Sequence, residues 1–454
     1  MRRCRVVHPM HTVGSSLFGH APSSIVRTAS SLCGGRGVMR SKRRRDHPFP
    51  LSKVAAMNRP IRVLSLYEGF FAGGARILHT DVIAGLHLGG DQRHSVLSIA
   101  SAVRRDSSVQ RLHRDPRFVR LTGAGIDVTT LGRVGGSEAP APSTFTDRQL
   151  RVALTVITQA DVILSLKEQP LGLLLALHQR GLMPDIPVAA CLHRSDPEHS
   201  GEALSWLREA SSTGILTAEI SCAQSTSDAY QPFFTPTAGR FVVGNGIDTD
   251  RFRPGTEIEQ ATTRRELGIP AAVPVVVFAA RFDVMKDPGL FLRSVVLHSL
   301  TRPETHYLVC GAGMTLENEA FRSLVDESGI RGTTHLHALG IRDDMPAIYQ
   351  IADIVALTST FGEASPLCLL EGAASGATPV TTDVGDAALT VEDIGRVTTH
   401  DPAEIVAIWE EVLDRRPELR SYSLAARARF GRDRMIAEYA AVVRGLLARN
   451  RAVA

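Results

Sequence analysis

From residue 61 onward the chain alternates short apolar runs with longer amphipathic stretches. Residues 61–66, 96–99, 162–166, 188–192 and 215–221 are almost continuously hydrophobic. That is the pattern of strands buried on both faces of a parallel sheet. Between the first two runs, residues 75–88 place Ile77, Leu78, Val82 and Leu86 at helical spacing, and 148–157 and 171–179 also read as helices. A second series starts at 275–280, with strands expected at 305–310, 335–339, 354–357 and 379–382. Its helices fall at 288–296, 316–328, 345–351 and 366–375, and Ile405, Ile408, Trp409 and Val412 open a helical C-terminal region. Strand–helix alternation requires parallel sheets with right-handed crossovers. The expectation is therefore α/β: two doubly wound, Rossmann-like domains at 58–252 and 274–430 facing a central cleft, with a linker at 253–273. Such sheets bind ligands beyond the carboxyl ends of their strands.

Composition changes the picture in one place. The 454 residues are 44% hydrophobic and 22% charged, which excludes global disorder, and no apolar run is long enough to span a bilayer. Residues 1–57, however, hold eleven Lys/Arg against one acid, Asp46, and show no period. They read as a disordered basic extension ahead of a working start at Met57; an Arg- and Ser-rich targeting segment is the other reading. The remaining 40 basic and 46 acidic residues leave no footprint for nucleic acid. Cys4, Cys33, Cys191, Cys222, Cys310 and Cys368 form no C-x-x-C pair. They suit a reducing, cytoplasmic compartment rather than a zinc or disulfide framework.

The chemistry-bearing residues follow predicted strands. In Ser359-Thr-Phe-Gly-Glu-Ala-Ser-Pro-Leu-Cys-Leu-Leu-Glu-Gly, Ser365 is expected as a helix N-cap and Pro366 as its first residue. The loop before it would point N–H groups and a positive dipole end at the cleft, a phosphate-binding device. Glu363 and Glu371 are eight residues apart, about 12 Å along a helix. That is too far to flank one glycosidic bond but suits two parts of one long ligand such as a nucleotide-sugar. Arg281 and Lys286 follow the first strand of the second series and could neutralise a departing diphosphate. Gly73 and Gly74 permit close backbone approach after the first strand, but G-x-G-x-x-G is absent, so no dinucleotide fingerprint exists. His193 ends a strand facing the cleft, Lys167-Glu168-Gln169 ends another, and Gly311 begins a strand-to-helix turn beside the nucleotide pocket. Asp248-Thr-Asp250 has a metal-binding look but sits in an Asn-Gly-Ile-Asp turn, and is read as turn chemistry rather than a metal site.

Together these residues resemble the retaining glycosyltransferases of family 4, which have the GT-B fold. The matching pieces are Gly73-Gly74-Ala75, Leu192-His193, Asn245-Gly-Ile-Asp-Thr-Asp-Arg-Phe, Arg281 with Lys286, Gly362-Glu-Ala-Ser-Pro-Leu-Cys-Leu-Leu-Glu371 and Thr382-Asp-Val-Gly385. The resemblance implies that Arg281 and Lys286 bind the donor diphosphate, Glu363 the sugar and Glu371 the ribose. It places Gly73 and Gly74 at the phosphates and His193 near the transferred sugar or acceptor, with a helix at 431–454 crossing back onto the first domain. It implies a nucleotide-sugar donor, no metal or other cofactor, and an acceptor that is a glycan, glycolipid or small molecule, with peripheral contact at the inner membrane face left open. Ala364-Ser365-Pro366 departs from the Gly-Phe-Gly or Gly-Phe-Pro of many members. Competing readings are a non-hydrolysing nucleotide-sugar epimerase and a non-catalytic nucleotide-sugar binder.

Overall fold

The computed structural model describes residues 59–70, 74–105, 108–135, 139–330 and 334–453. The basic extension and Gly73 lie outside them. The first sheet contains β1 (Ile61–Tyr67), β2 (Gln92–Arg105), β3 (Ser108–Arg111), β4 (Asp127–Gly135), β5 (Val162–Leu166), β6 (Val188–Leu192), β7 (Leu216–Ser221) and β8 (Gly239–Val242). Its order is β3-β2-β1-β5-β6-β7-β8, with β4 added beside β2, and every pairing except β2–β3 is parallel. The second sheet contains β9 (Val275–Ala279), β10 (His306–Cys310), β11 (His335–Gly340), β12 (Ile354–Leu357), β13 (Thr378–Thr382) and β14 (Arg396–Thr398), all parallel, in the order β11-β10-β9-β12-β13-β14.

Both sheets reverse direction of growth beside their first strand: β1 lies between β2 and β5, β9 between β10 and β12. A crevice opens at such a switch point. Each sheet is covered on both faces. The helix Leu171–His178 is buried from Leu171 to Leu177, as an all-apolar helix requires. On the second sheet, Phe278 stacks on Phe291 at 4.7 Å and Trp409 closes the same layer.

The crossing between domains lies at two adjacent strands of chain. Ile247 N–H donates to Phe430 O and Arg432 N–H to Ile247 O, both at 2.8 Å. Gly246 allows the close approach: an added Cβ would sit 2.8 Å from Gly431 O. The helix Arg432–Val453 then packs Met435, Tyr439, Val443 and Leu446 into the first domain's core with Val63, Ile83 and Val162. Residues 253–273, expected from the sequence to be a linker, instead hold the helix Glu257–Glu266, and Ile269 enters the second domain's core. The cause is local. Thr256 and Glu259 form a reciprocal capping box that starts a helix where the prolines and glycines suggested none.

Candidate functional site

The carboxyl ends of β9 and β12 build one cluster. β12 runs into Thr358 and Ser359, whose hydroxyls tie the neighbouring turn and loop together. Thr358 Oγ1 donates to the carbonyls of Lys286 and Asp287, each at 3.0 Å. Ser359 Oγ donates to Glu363 Oε1 at 2.5 Å. Lys286 closes the short turn Val284–Lys286 after β9 and its Nζ bonds the same Glu363 oxygen. Glu363 is buried and Lys286 partly buried. Asp287 adopts φ 40° and caps the next helix through Leu290 N at 2.9 Å, which holds the Lys286 carbonyl in place. Arg281, from the same turn, is more exposed and pairs with Asp283 at 2.7 Å. Burial raises the Asp283 carboxyl, but the Met285 N–H, Arg281 and Arg194 outweigh it and hold the group below its ordinary value. Gly311 sits behind this turn at φ 140°, where a Cβ would lie 2.0 Å from Ala280 O.

The loop 360–366 is pinned from the other domain. Ser195 Oγ donates to Glu363 O, and Asn245 Nδ2 donates to Ser365 O at 2.7 Å. Asp386 of the second domain accepts from Gln224 N at 2.8 Å and Ser225 N at 2.9 Å. It thereby satisfies the first N–H groups of the helix Gln224–Tyr230, whose own cap residue, Ala223, cannot. Ser365 is not the N-cap expected of it. The helix Leu367–Ser375 begins one residue later, with Pro366 in the cap position and no side-chain cap. Proline cannot donate, so the chain turns extended there and Ser365 presents its carbonyl to Asn245 instead.

His193 lies at the end of β6 facing this region, with both ring nitrogens buried and lacking a hydrogen-bond partner among the described residues. Burial, then His79 and Lys167, lower its pKa to about 3, so the ring is neutral. Lys167 takes a left-handed backbone at φ 69°, and Glu168 is buried and accepts from Tyr230 OH. Gly74 faces Leu367: a Cβ there would stand 3.6 Å from Leu367 Cδ1. Leu367 and Glu371 line a cavity of about 230 Å³ with Arg251, Phe252, Met345 and Asp248. Burial pushes Glu371 up to about 7, against a Tyr349 hydrogen bond and Arg251, which pull it down. Asp248 accepts from Asp250 N and Arg251 N and pairs with Arg432 at 3.0 Å. Lys286 and Glu363 are thus in contact and Arg281 shares their turn, whereas Glu371 opens on a neighbouring cavity. Ser359, Ser195, Arg194 and Asp386 complete the site without having been singled out from the sequence.

Gly385 permits the arrangement. It has φ +58°, and an added Cβ would lie 2.0 Å from Glu363 O. Gly385→Ala is expected to cost more than the about 1–3 kcal/mol of a left-handed non-glycine residue. Gly181→Ala supplies the control, because Gly181 has φ +66° with nothing within 4 Å of its Cβ position. Thermal unfolding of both variants measures the difference; equal losses would mean that the Glu363 loop yields freely.

Residues 259–429 match the family model described as glycosyl transferases group 1. Over that segment the second domain is similar to the glycosyl transferases of group 1. Among curated proteins, a D-inositol 3-phosphate glycosyltransferase of Corynebacterium aurimucosum is 29% identical over 214 residues, covering 46% of this chain and 51% of that protein. One from Corynebacterium jeikeium is 31% identical over 199 residues, 42% of this chain and 46% of that one. The chain thus spans about half the length of these relatives. Among solved structures, Anabaena Alr3699/HepE in complex with UDP and glucose superposes with a TM-score of 0.66 at 18% identity, covering 84% of this chain and 99% of that one. Sucrose-phosphate synthase from Thermosynechococcus elongatus gives 0.62 at 16% identity, covering 86% and 100%. The two domains therefore adopt the GT-B fold, and Lys286, Ser359, Glu363 and Glu371 all lie inside the segment that matches the family model.

Proposed function

We propose that this protein transfers a glycosyl group from a nucleoside-diphosphate sugar to an acceptor hydroxyl, with retention at the anomeric carbon and without a metal ion. The observation that carries this reading is the Lys286–Glu363–Ser359 cluster beside Arg281 at the switch point of the second sheet. Arg281 and Lys286 are placed to stabilise charge developing on a departing diphosphate, and Glu363 to accept hydrogen bonds from sugar hydroxyls. Glu371, in its adjoining cavity, suits a ribose diol. The HepE complex with UDP and glucose favours a uridine donor. In the first domain, a cavity of about 370 Å³ at the ends of β1 and β4 and beside the middle of β2, lined by Glu68, Ala100, Arg133 and Glu202, suits a polar acceptor. In this reading the acceptor attacks from the face the leaving group departs. Among the described residues no helix is long and apolar enough to cross a membrane, which leaves glycolipid, glycan and small-molecule acceptors as candidates.

The test is a thermal-shift panel of UDP, ADP, GDP and CDP, since a ligand of the native state raises the midpoint. One of the four is expected to stabilise the protein, and more so as pH rises through about 7, because an ionised Glu371 accepts more strongly, and through both oxygens, from a diol. Product anomers read by NMR then decide retention. A panel with no stabilising member would sink the reading.

A further inference from the structure

A third cation reaches the same turn from the opposite domain. Arg194 follows His193 at the end of β6, and its guanidinium lies over Gly362. A Cβ built on Gly362 would meet Arg194 Nε at 3.1 Å, Arg194 Nη2 at 3.2 Å and Met285 Sδ at 3.1 Å. Gly362 precedes Glu363 and Met285 precedes Lys286, so Arg194 is wedged beside both members of that ion pair. Its field also reaches Asp283. Gly362 stands at φ +71°, the one residue type that leaves room for the guanidinium there. Arg194 Nη2 is held by Asp196 at 3.0 Å, while Arg194 Nε is buried with no hydrogen-bond partner among the described residues. A buried charged donor without an acceptor is costly unless a ligand supplies one.

The three cations share a design. Arg194 rests on Asp196, Arg281 on Asp283 and Lys286 on Glu363. Each is parked on a carboxylate, which keeps the pocket near neutral until a stronger anion enters. We propose that Arg194 is a diphosphate-binding residue contributed by the first domain, its free Nε donating to the phosphoryl oxygens of the donor when the domains are closed as described here. This rests on the donor reading under the proposed function. During transfer the bond from the anomeric carbon to the diphosphate oxygen breaks and that oxygen keeps the electron pair. The acceptor oxygen bonds the anomeric carbon and its proton passes to the departing diphosphate. Arg194 remains a guanidinium throughout and exchanges no proton. An arginine delivered by the first domain would make leaving-group stabilisation depend on closure.

The experiment compares nucleoside diphosphates with their monophosphates by calorimetry, using the full chain and the UDP/UMP, ADP/AMP, GDP/GMP and CDP/CMP pairs. Wild type is expected to favour one diphosphate over its monophosphate. Arg194→Ala should reduce that preference by about 10–100-fold, the value of a charge-assisted hydrogen bond, with an unchanged melting point and monophosphate affinity. Arg194→Lys should restore part of it. If Arg194→Ala keeps the full preference while Lys286→Ala loses it, the proposal is overturned and the donor reading stands. If wild type binds none of the eight nucleotides, the donor reading fails and this proposal with it.

Discussion

Lys286→Ala is expected to lower kcat/KM for transfer by about 10²–10³-fold, the usual cost of removing one donor that meets charge developing in a transition state. The same substitution should destabilise the fold. Glu363 is 5% exposed, and among the described residues it keeps only Ser359 as a side-chain partner without Lys286. Breaking a buried pair by deleting one member costs about 3–5 kcal/mol, chiefly because a lone charge remains. Glu363→Gln removes that charge. The double variant Lys286→Ala with Glu363→Gln should therefore recover much of the stability while staying inactive. Urea unfolding of the three variants gives the coupling. Additive losses would show that the two side chains do not act as a pair. The stability arm is independent of which sugar is transferred, so it tests the geometry even before a substrate is known.

Stability is expected to fall as acid protonates the imidazoles of the unfolded chain. Burial is the leading cause that lowers His79, His94 and His193 to about 3 and His298 to about 4. In the unfolded chain each imidazole takes a proton as pH falls below about 6.5, whereas the native rings remain neutral until pH 3–4. The unfolded state then binds more protons, so stability falls as pH drops through that window. Each ring contributes up to about 1.4 kcal/mol per pH unit. Urea midpoints at pH 6.5, 5.5 and 4.5 should descend, by less than four rings alone would give, because Glu371, pushed up to about 7, takes a proton in the native state over the same range and offsets about one ring. His193→Gln should flatten the descent by about one proton. Midpoints unchanged down to pH 5 would contradict the buried, neutral state of these rings.

The parts of the fold that could be read from sequence are those where burial leaves a continuous signature. β5, β6 and β12 are buried at every position, and each appears as an unbroken apolar run. β4 does not: it exposes Asp127, Gly132 and Val134, and its Asp-Val-Thr-Thr-Leu-Gly-Arg-Val-Gly has no clear period. The expected strand at 96–99 is only the centre of β2, whose ends are less apolar and whose C-terminal end pairs with β3. In the site, Arg281, Lys286 and Glu363 drew attention because they follow the ends of expected strands, and Glu371 because it lies on the helix that follows Glu363. Ser195 and Asp386 were not, since their contacts join residues 168 and about 162 positions apart. Asp386 had one faint signal, a carboxylate just ahead of a short helix. The structure turns it away from that helix to cap another.

The final helix also bears on how the chain can be made. Tyr439, Val443 and Leu446 sit in the same layer as Val63 and Ile83, so part of one side of the first sheet lacks its covering until residues 435–446 have left the ribosome. The half synthesised first cannot be the half completed first. During translation its apolar surface stays open to chaperones or to other nascent chains, while the second domain, whose own layers are contiguous in sequence, can already close.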